Sequence, residues 1–526
     1  MKIVKSLLMG SAAGLAAMSG AQAADLPVKA KPVEYVKICS LYGSGFYYIP
    51  GTDTCIRIGG HIRAEVSFLG RGNGSSSFLV NGDGLATKTR DRDFFFVRNR
   101  VYVNADVRTQ TSFGTLRAFS VTRFETTTGA GLASGAGLTN IDTGIIQWGG
   151  FTIGTASTSY FDNPWDFAFK WGENGSYGWP DSTSGRFVAA YTHQFGNGIS
   201  ASLSLEDVKL RKRGNFNGAN ALSIIGVAPT IDTRGGNTWP EVVGQLRIEQ
   251  AWGGFHLAGN IVNNHVAYNC GAASGTTTVL AGGCSELAGN PSDKVGGGVT
   301  AALKFNVPTG VNDSLYVGGS WSKGATFDVL RNNGLGSGQG IYGGTNLANA
   351  YGSIVGSYIW DTVYTSTAGV TAGGGTVLVG PQSQQLTTAY GGSVAFEHGW
   401  NAEWRTSVFG GAQFVDYNET ANAILCSKFA AGAAGTLTAG VGGANISATD
   451  ACNFDYRIAG AGSRTYWSPI RDLTIGFEVQ WANHHVSHAD GVVYNQPVIS
   501  GFKPNAAYEV RDQNVFSGLF SVRRFF

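Results

Sequence analysis

The sequence predicts an all-β protein, a sixteen-stranded antiparallel β-barrel that spans a membrane. Three observations support this prediction: apolar and polar residues alternate with a period of two, short and long connections alternate, and the composition is rich in glycine and poor in charge. The 526 residues include 78 glycines, and only 14% are charged. In soluble domains about a quarter of the residues carry charge. One surface of this chain is therefore expected to avoid water.

The stretch CIRIGGHIRAEVSF, residues 55–68, illustrates the period of two. Its isoleucines share one parity, whereas Arg57, Arg63 and Glu65 share the other. Successive residues of a strand point to opposite faces, so this segment has one apolar and one charged face. An arginine that faces lipid near the bilayer centre costs about 2–4 kcal/mol. The apolar face is therefore expected to meet lipid, and the charged face to line water.

Sixteen segments are predicted as strands. They are, approximately, residues 56–68, 93–109, 114–125, 141–149, 151–157, 186–195, 199–206, 241–251, 254–264, 294–306, 313–325, 387–398, 402–415, 454–467, 472–484 and 514–526. Tight turns and long glycine-rich segments alternate between them, as in barrels with short turns on the periplasmic rim and long extracellular loops. Because lipid offers no partner to an open sheet edge, the sheet should close. Sixteen strands enclose more room than side chains fill, which predicts an aqueous channel.

The first residues have the pattern of a secretory signal peptide. Lys2 and Lys5 precede an uncharged run that ends in Ala21-Gln22-Ala23, a small-x-small cleavage pattern. The mature chain then has equal numbers of basic and acidic residues, which argues against nucleic acid as a partner. We expect residues 1–23 to be a cleaved signal peptide, residues 24–55 a periplasmic or lumenal segment, and residues 56–526 a barrel in the outer membrane.

Six cysteines fit an oxidising compartment. They fall in three successive pairs, each of which closes a short loop, so we expect sequential pairing among the 15 possible connectivities. These pairs are Cys39 with Cys55, Cys270 with Cys284, and Cys426 with Cys452. The alternative is a metal site, but no C-x-x-C or H-E-x-x-H motif occurs. We therefore expect no metal, no cofactor and no catalytic residue.

The segment ADLPVKAKPVEYVKICSLYGSGFYYIPGTDTCIRIGGHIRAE, residues 24–65, resembles the mature start of alphaproteobacterial general porins of the rhizobial type. The hairpin GRFVAAYTHQFGNGISASLSLE, residues 185–206, and the terminal RRFF are also similar to that family. The final strand, which ends on Phe526, resembles the membrane-insertion signal of outer-membrane barrels. The resemblance implies a sixteen-stranded barrel, usually a homotrimer in outer-membrane lipid, that passes small hydrophilic solutes and ions.

In the family that this chain resembles, the loop after the fifth strand folds inward and narrows the pore. Here it covers about residues 157–185, and its aromatic residues suit packing against the barrel wall. Its acidic residues are Asp162, Asp166, Glu173 and Asp181. Basic residues of inward parity are Arg57, Arg63, Arg98, Arg100, Arg117, Arg123 and Arg247. We hypothesise that the acidic loop faces the basic wall across a constriction, because charge at a narrow point sets ion preference.

The function expected from these features is passive diffusion through a channel, with selection by size and charge. Two alternatives stay open at this point. One is a substrate-selective channel with a sugar- or anion-binding track. The other is a secreted glycine-rich surface or adhesion protein, which would share the signal peptide and the β-strands. Small outward residues such as Ala118 and Ser120 are candidates for the contact between subunits.

Overall fold

The computed structural model shows one large closed β-barrel. It describes residues 38–69, 95–128, 137–165, 169–171, 186–207, 212, 214–218, 234–268, 270–272, 279–284, 289–330, 338–342, 352–357, 359–370, 376–381, 383–432, 438–439, 452–487, 492–496 and 506–526. The predicted signal peptide, residues 1–23, lies outside these ranges, as does the first part of the segment that precedes the barrel.

Sixteen antiparallel strands form the barrel, each hydrogen-bonded to its neighbours in sequence. They are β1 Cys55–Leu69, β2 Phe95–Thr111, β3 Gly114–Thr128, β4 Gly137–Trp148, β5 Phe151–Ala156, β6 Arg186–Gly196, β7 Ile199–Glu206, β8 Glu241–Gln250, β9 Gly253–Asn264, β10 Lys294–Val307, β11 Asp313–Lys323, β12 Thr388–Gly399, β13 Trp404–Asp416, β14 Tyr456–Trp467, β15 Leu473–Val486 and β16 Gln513–Phe525. All sixteen predicted strands are confirmed, with boundaries within a few residues of those expected.

The last strand pairs with the first and closes the sheet. His61 of β1 lies opposite Phe525 of β16, and Leu69 lies opposite Ser517. The terminal residue extends this pairing, since the backbone N–H groups of Gly60 and Phe526 each donate to the other residue's carbonyl at 3.0 Å. Closure leaves the barrel with no exposed strand edge, which a sheet in lipid requires.

The two rims of the barrel differ in the length of their connections. On the short-turn rim, strands are joined by tight turns such as Gly149–Gly150 (φ 56° and 90°) and Asn197–Gly198 (φ 49° and 71°). Two consecutive residues with positive φ match the twist of a two-residue hairpin, which explains the Gly-Gly and Asn-Gly sequences. On the long-loop rim the connections are longer, up to residues 324–387 between β11 and β12. The predicted segregation of turns and loops is confirmed.

The outer face of the barrel is apolar. Ile58 and Ile62 of β1 are 55% and 46% exposed, whereas Glu65 on the opposite parity is 1% exposed. Other exposed apolar residues around the barrel include Leu203, Leu205, Val299, Val317, Trp321, Val394, Val408, Phe477, Val479, Phe516 and Phe520. Exposed aromatic residues lie near both rims, among them Trp148, Phe151, Trp252, Trp400 and Trp404 at the short-turn rim and Phe68, Phe95, Trp481 and Phe516 toward the long-loop rim. An apolar belt with an aromatic girdle is the surface that a membrane-spanning barrel presents to lipid.

The described part of the chain contains no helix that combines the length and the apolar character needed to cross a membrane. Within the described ranges, an α-helix, α1, spans Glu419–Gly432 in the connection between β13 and β14, and short 3-10 helices lie at Ser40–Tyr42 and Thr326–Asp328. Short strands outside the barrel are Tyr47–Tyr48, Asn215–Asn217, Cys270–Ala272, Val279–Cys284, Gly338–Tyr342, Gly352–Ser357, Thr362–Tyr364, Ser366–Val370, Thr376–Pro381, Gln385–Leu386, Thr438–Ala439, Val492–Gln496 and Ala506–Val510.

Long connections pack against one another at the long-loop rim. Asn215–Asn217 runs parallel to Thr362–Tyr364, which pairs on its other side with Gln385–Leu386. Within this small sheet Phe216 and Tyr364 are fully buried. The connections after β7 and β11 therefore fold together and do not extend separately into solvent.

Two of the predicted disulfides are present. Cys39 is bonded to Cys55 and Cys426 to Cys452, with Cα–Cα distances of 6.1 and 5.9 Å. For the third pair, Cys270 lies opposite Cys284 in an antiparallel register. The side chains of that pair are outside the described part of the structure, so their bond stays a prediction.

The segment before β1 lies against lumen-facing side chains at the short-turn rim. Tyr47–Tyr48 pairs with the first residues of β1, and Phe46 is buried. The guanidinium groups of Arg57 and Arg108 lie over the Phe46 ring, 5.1 and 5.0 Å from its centroid. Both arginines have inward parity, and the Cys39–Cys55 bond ties this segment to the first residue of β1.

Candidate pore constriction

The loop after β5 turns into the barrel. Its described residues, 157–165 and 169–171, are called the inward segment below. At its start, the N–H of Tyr160 donates to Oε1 of Glu206 at 3.0 Å, and Nε2 of Gln245 donates to the Tyr160 carbonyl at 2.8 Å. Phe161 is fully buried against Val243 and Ala258. The segment therefore begins on the lumenal face of β7–β9.

The middle of the inward segment crosses β10–β13. Nδ2 of Asn163 donates to Oη of Tyr316 at 2.6 Å, and the Phe169 and Tyr316 rings are 5.6 Å apart. Phe169 also packs against Ala302 and Ala395, and its carbonyl accepts from Oγ of Ser407. Small residues line this path, and we call them the small-residue wall: Val243, Ala258, Ala302, Ala395 and Ser407. Their size leaves room for the backbone and rings of the segment.

The described end of the inward segment reaches β14–β16 and β1. The N–H of Trp171 donates to Oε2 of Glu478, and the Trp171 carbonyl accepts from Nη2 of Arg63 at 3.5 Å. The guanidinium groups of Arg523 and Arg464 lie 4.3 and 5.4 Å from the Trp171 ring centroid. The segment thus follows the inner surface from β7 to β1. An inward-folded third loop is confirmed.

Arginines concentrate on the lumenal face of β1–β3 and β16. This set, the arginine wall, consists of Arg63, Arg98, Arg100, Arg117, Arg123 and Arg523. Register places Arg523 opposite Arg63 and Arg63 opposite Arg100, a row of three cations on adjacent strands. Like charges directly opposite each other in a sheet destabilise it, so this row requires compensation.

Carboxylates on the same strands supply part of that compensation. Glu65, which is buried, accepts from Nε of Arg63 and, at 3.0 Å, from Nε of Arg98. Glu125 accepts from Nε of Arg100 at 2.7 Å. Charge-assisted hydrogen bonds of this kind hold each guanidinium in a fixed orientation. Among the described residues, Glu65 and Glu125 therefore hold several guanidinium groups of the arginine wall in place.

A second group of such contacts lies nearer the short-turn rim. Asp106 accepts from Arg108 at 3.0 and 2.7 Å and from Arg117 at 2.9 and 3.0 Å. Arg117 also donates to Oε1 of Gln147 at 2.8 Å. Asp106 is buried, whereas Arg108 and Arg117 are part-buried, so water in the lumen still reaches the two guanidinium groups. These two arginines are therefore fixed in place and remain accessible to passing solutes.

The predicted basic residues occupy three places. Arg63, Arg98, Arg100 and Arg123 are brought together on the arginine wall, and Arg117 is at its edge toward the short-turn rim, bonded to Asp106. Arg57 is on β1 as well, but it is exposed over Phe46 at the short-turn rim. Arg247 is on β8, away from the wall, where it pairs with Glu249.

The predicted acidic residues of the loop are only partly described. Asp162 is buried where the inward segment crosses β7–β9, and its Oδ2 accepts from the N–H of Ser159 at 2.7 Å. This carboxylate holds a turn of the segment and lies away from the arginine wall. Asp166, Glu173 and Asp181 are outside the described residues, so their position opposite the wall stays a prediction.

Several residues at the constriction were not among those expected from sequence. Arg464, Arg523 and Glu478 contact Trp171, yet they come from the C-terminal strands. Parity alone identifies Arg523 as inward, because it alternates with the outward residues Phe516 and Phe520. No local sequence pattern indicates which strands the end of the inward segment contacts. Among the residues that the structure describes, no group of three or more potential metal ligands lies together.

A family model matches most of this chain, and individual relatives match about half of it. The family model described as the porin subfamily matches residues 25–519. Porin Omp2b of Brucella suis is 33% identical over 259 residues, which cover 48% of this chain and 64% of that protein. Porin Omp2b of Brucella abortus (strain 2308) is 32% identical over 266 residues, with 48% and 63% covered. The chain thus aligns with less than two thirds of either relative.

A solved structure has a similar fold. The outer membrane channel DcaP of Acinetobacter baumannii superimposes with a TM-score of 0.53 at 13% identity, covering 91% of this chain and 99% of that one. At this identity the likeness concerns the fold alone. The family model, by contrast, extends from the segment before β1 into β16. This chain belongs to the porin subfamily.

Proposed function

We propose that this chain is a passive diffusion channel of the outer membrane, through which small hydrophilic solutes and ions move down their own gradients. The observation that carries the proposal is the inward segment, which lies across the inner surface of a barrel that side chains alone do not fill. Membership of the porin subfamily and the names of its Brucella relatives support the same function. No reaction is proposed, because a gradient alone drives the flux.

Selection in this channel is proposed to act by size and charge at the inward segment. The arginine wall is proposed to favour anions relative to cations, since fixed charge at a narrow point sets ion preference. The acids Asp166, Glu173 and Asp181 are proposed to face that wall from the loop. Arg57 and Arg247 are proposed to line the lumen away from the constriction.

The channel is proposed to work as a homotrimer. On β3, Ala118 lies opposite Ile146 and Ser120 opposite Gly144 in the outward-facing register with β4. Small side chains at this place allow close approach of a second barrel. Three equal conductance sub-steps per insertion, together with a heat-sensitive oligomer on a gel, are the expected observations.

Reconstitution of the purified protein in a planar bilayer tests the function. Stepwise conductance is expected, with a reversal potential that shifts under a salt gradient. Vesicles that contain the protein should swell in small sugars and stay intact in large oligosaccharides. Saturation of the current by one particular sugar or anion would instead favour a substrate-selective channel. Vesicles that remain impermeable to salts and sugars would exclude both.

A further inference from the structure

Trp165 of the inward segment lies directly over a glycine of the barrel wall. The position that a Cβ would occupy at Gly254 of β9 is 2.5 Å from Cζ2 and 3.0 Å from Cη2 of Trp165. The φ angle of Gly254 is not in the left-handed region, so its backbone does not require glycine. The indole ring occupies most of the space that a side chain would need, and the Ile248 carbonyl oxygen, 3.2 Å from the same position, limits the remainder.

Trp171, the last described residue of the segment, also lies over a glycine of the barrel wall, and we call each of these glycine sites a seat. The position of a Cβ at Gly476 of β15 is 2.5 Å from Cη2 and 2.7 Å from Cζ3 of Trp171. The same position is 2.7 Å from the Thr465 carbonyl oxygen, so the neighbouring backbone also limits this site. Arg523, at 4.3 Å from the ring centroid, adds a cation–π contact that holds the indole against the wall.

The two seats are far apart on the barrel. Five strands, β10–β14, separate β9 from β15, and the inward segment crosses all of them. Between Trp165 and Trp171 the described contact with the wall is that of Phe169, which packs against Ala302 and Tyr316. The part of the segment from Trp165 to Trp171 has an indole ring against the wall at each end, so it cannot move relative to the wall without displacing a ring.

We propose that Trp165 and Trp171 are the positioning residues that set the width of the channel, each through a glycine that makes room for its indole ring. The inference rests on the proposed channel function and adds the residues that determine pore size. A side chain at Gly254 would force the Trp165 ring about 1 Å into the lumen, because ordinary contacts between carbon atoms are about 3.5–4 Å. Loss of either ring would release the segment and widen the path.

Single-channel conductance of Gly254→Ala, Trp165→Ala and the double variant tests the first seat. Gly254→Ala is expected to lower conductance roughly 1.5-fold, since one wall of a narrow path moves inward. Trp165→Ala is expected to raise it by a similar factor. In the double variant the alanine at 254 has no ring to displace, so its conductance should equal that of Trp165→Ala. An effect of Gly254→Ala that disappears in the absence of Trp165 acts through the indole ring, whereas an effect that persists acts through the conformation of β9.

Gly244→Ala is the matched control. Gly244 lies on the neighbouring strand β8, is exposed on the outer face, and has no atom within 4 Å of its Cβ position. This variant should conduct like the wild type. Heat-modifiable mobility on a gel confirms that each variant folds as a barrel before its conductance is read.

At the second seat the ring is removed and the glycine left in place, because the Thr465 backbone also crowds Gly476. Trp171→Ala is expected to raise conductance and to admit larger polyethylene glycols, whereas Trp171→Phe keeps a ring over Arg523 and should restore the wild-type size limit. A wild-type protein that forms no channel would refute the proposed function. If the wild type forms a channel but these substitutions leave its conductance and size limit unchanged, the role proposed for the two tryptophans is refuted and the channel function is not. The same conclusion follows if Gly254→Ala still lowers conductance in the absence of Trp165.

Discussion

The arginine wall and the small-residue wall are two sides of the lumenal surface of the barrel, and they differ in the size and charge of their side chains. On β1–β3 and β16 the lumenal positions hold guanidinium groups in cross-strand rows, such as Arg523, Arg63 and Arg100. On β8–β13 they hold alanine, serine and valine, together with two buried aromatic rings, beneath Phe161 and Phe169. Bulky charged residues keep one side of the lumen polar, and small residues let the inward segment lie flat against the other. The difference indicates that lumenal residue size, as well as charge, shapes the path.

The largest effect is expected from removing charge on the arginine wall. Arg98→Ala with Arg100→Ala should reduce the preference for anions, because each deleted cation weakens the attraction to a passing anion. We expect about 1 kcal/mol, or roughly a fivefold change in permeability ratio, in a screened aqueous lumen. The reversal potential under a salt gradient measures this ratio. Arg524→Ala, at an exposed outward position on the short-turn rim, is the control. An unchanged reversal potential would remove Arg98 and Arg100 from the selectivity hypothesis.

A change of opposite sign is expected from Glu65→Gln. Glu65 accepts hydrogen bonds from Arg63 and Arg98, so its neutralisation leaves the wall more positive. The anion-to-cation permeability ratio should rise roughly twofold. Unfolding should also become easier, since removing one partner of a buried ion pair costs about 3–5 kcal/mol. A shift of the reversal potential toward cations would contradict this account of the wall.

On the small-residue wall, added bulk should displace the segment. Ala302 is buried beneath Phe169, so Ala302→Leu is expected to cost about 1–3 kcal/mol and to lower conductance without changing ion preference. Ala301→Leu is the matched control, because Ala301 is exposed on the opposite face of the same strand. Thermal unfolding and single-channel conductance measure the two consequences. If both variants conduct alike, the segment does not depend on the size of residue 302.

The smallest effect is expected where one hydrogen bond holds the segment. Tyr316→Phe removes the acceptor of the Asn163 amide, a bond of 2.6 Å, at a cost of about 1 kcal/mol. The barrel should unfold close to the wild-type temperature, because its strand pairing is untouched and about 1 kcal/mol shifts the unfolding midpoint of a large domain by only a few degrees. Open-channel current noise should increase as the segment loses an attachment. Noise equal to that of the wild type would show that the aromatic contacts alone hold this region.

The strands and their faces could be predicted well from sequence. The alternation around Ile58 and Arg63 identifies both the strand and its lumenal side, because side-chain direction in a strand depends only on parity. The same rule would have placed Arg523 on the lumenal side. It did not separate Arg247 from the wall, since parity states which face a residue occupies but not where around the barrel it lies.

The contacts of the inward segment needed the folded structure. Trp171 meets Glu478, Arg464 and Arg523, residues about 300 positions or more away in sequence, and no local pattern links them. Asp162 was expected opposite the arginines, but its carboxylate is used by the turn at Ser159. A short acidic side chain in a loop commonly bonds nearby backbone N–H groups, which sequence cannot distinguish from a long-range partner.

By itself the sequence determined an even number of antiparallel strands, the apolar outer face, the polar inner face and the alternation of turns and loops. These properties follow from local rules, namely the period of two, the conformational demands of tight turns, and the cost of placing charge in lipid. Only the tertiary structure decided which wall the inward segment covers, which glycines receive its tryptophans, and which acids hold the arginines. Those choices depend on strand register and closure, which bring residues from opposite ends of the chain together.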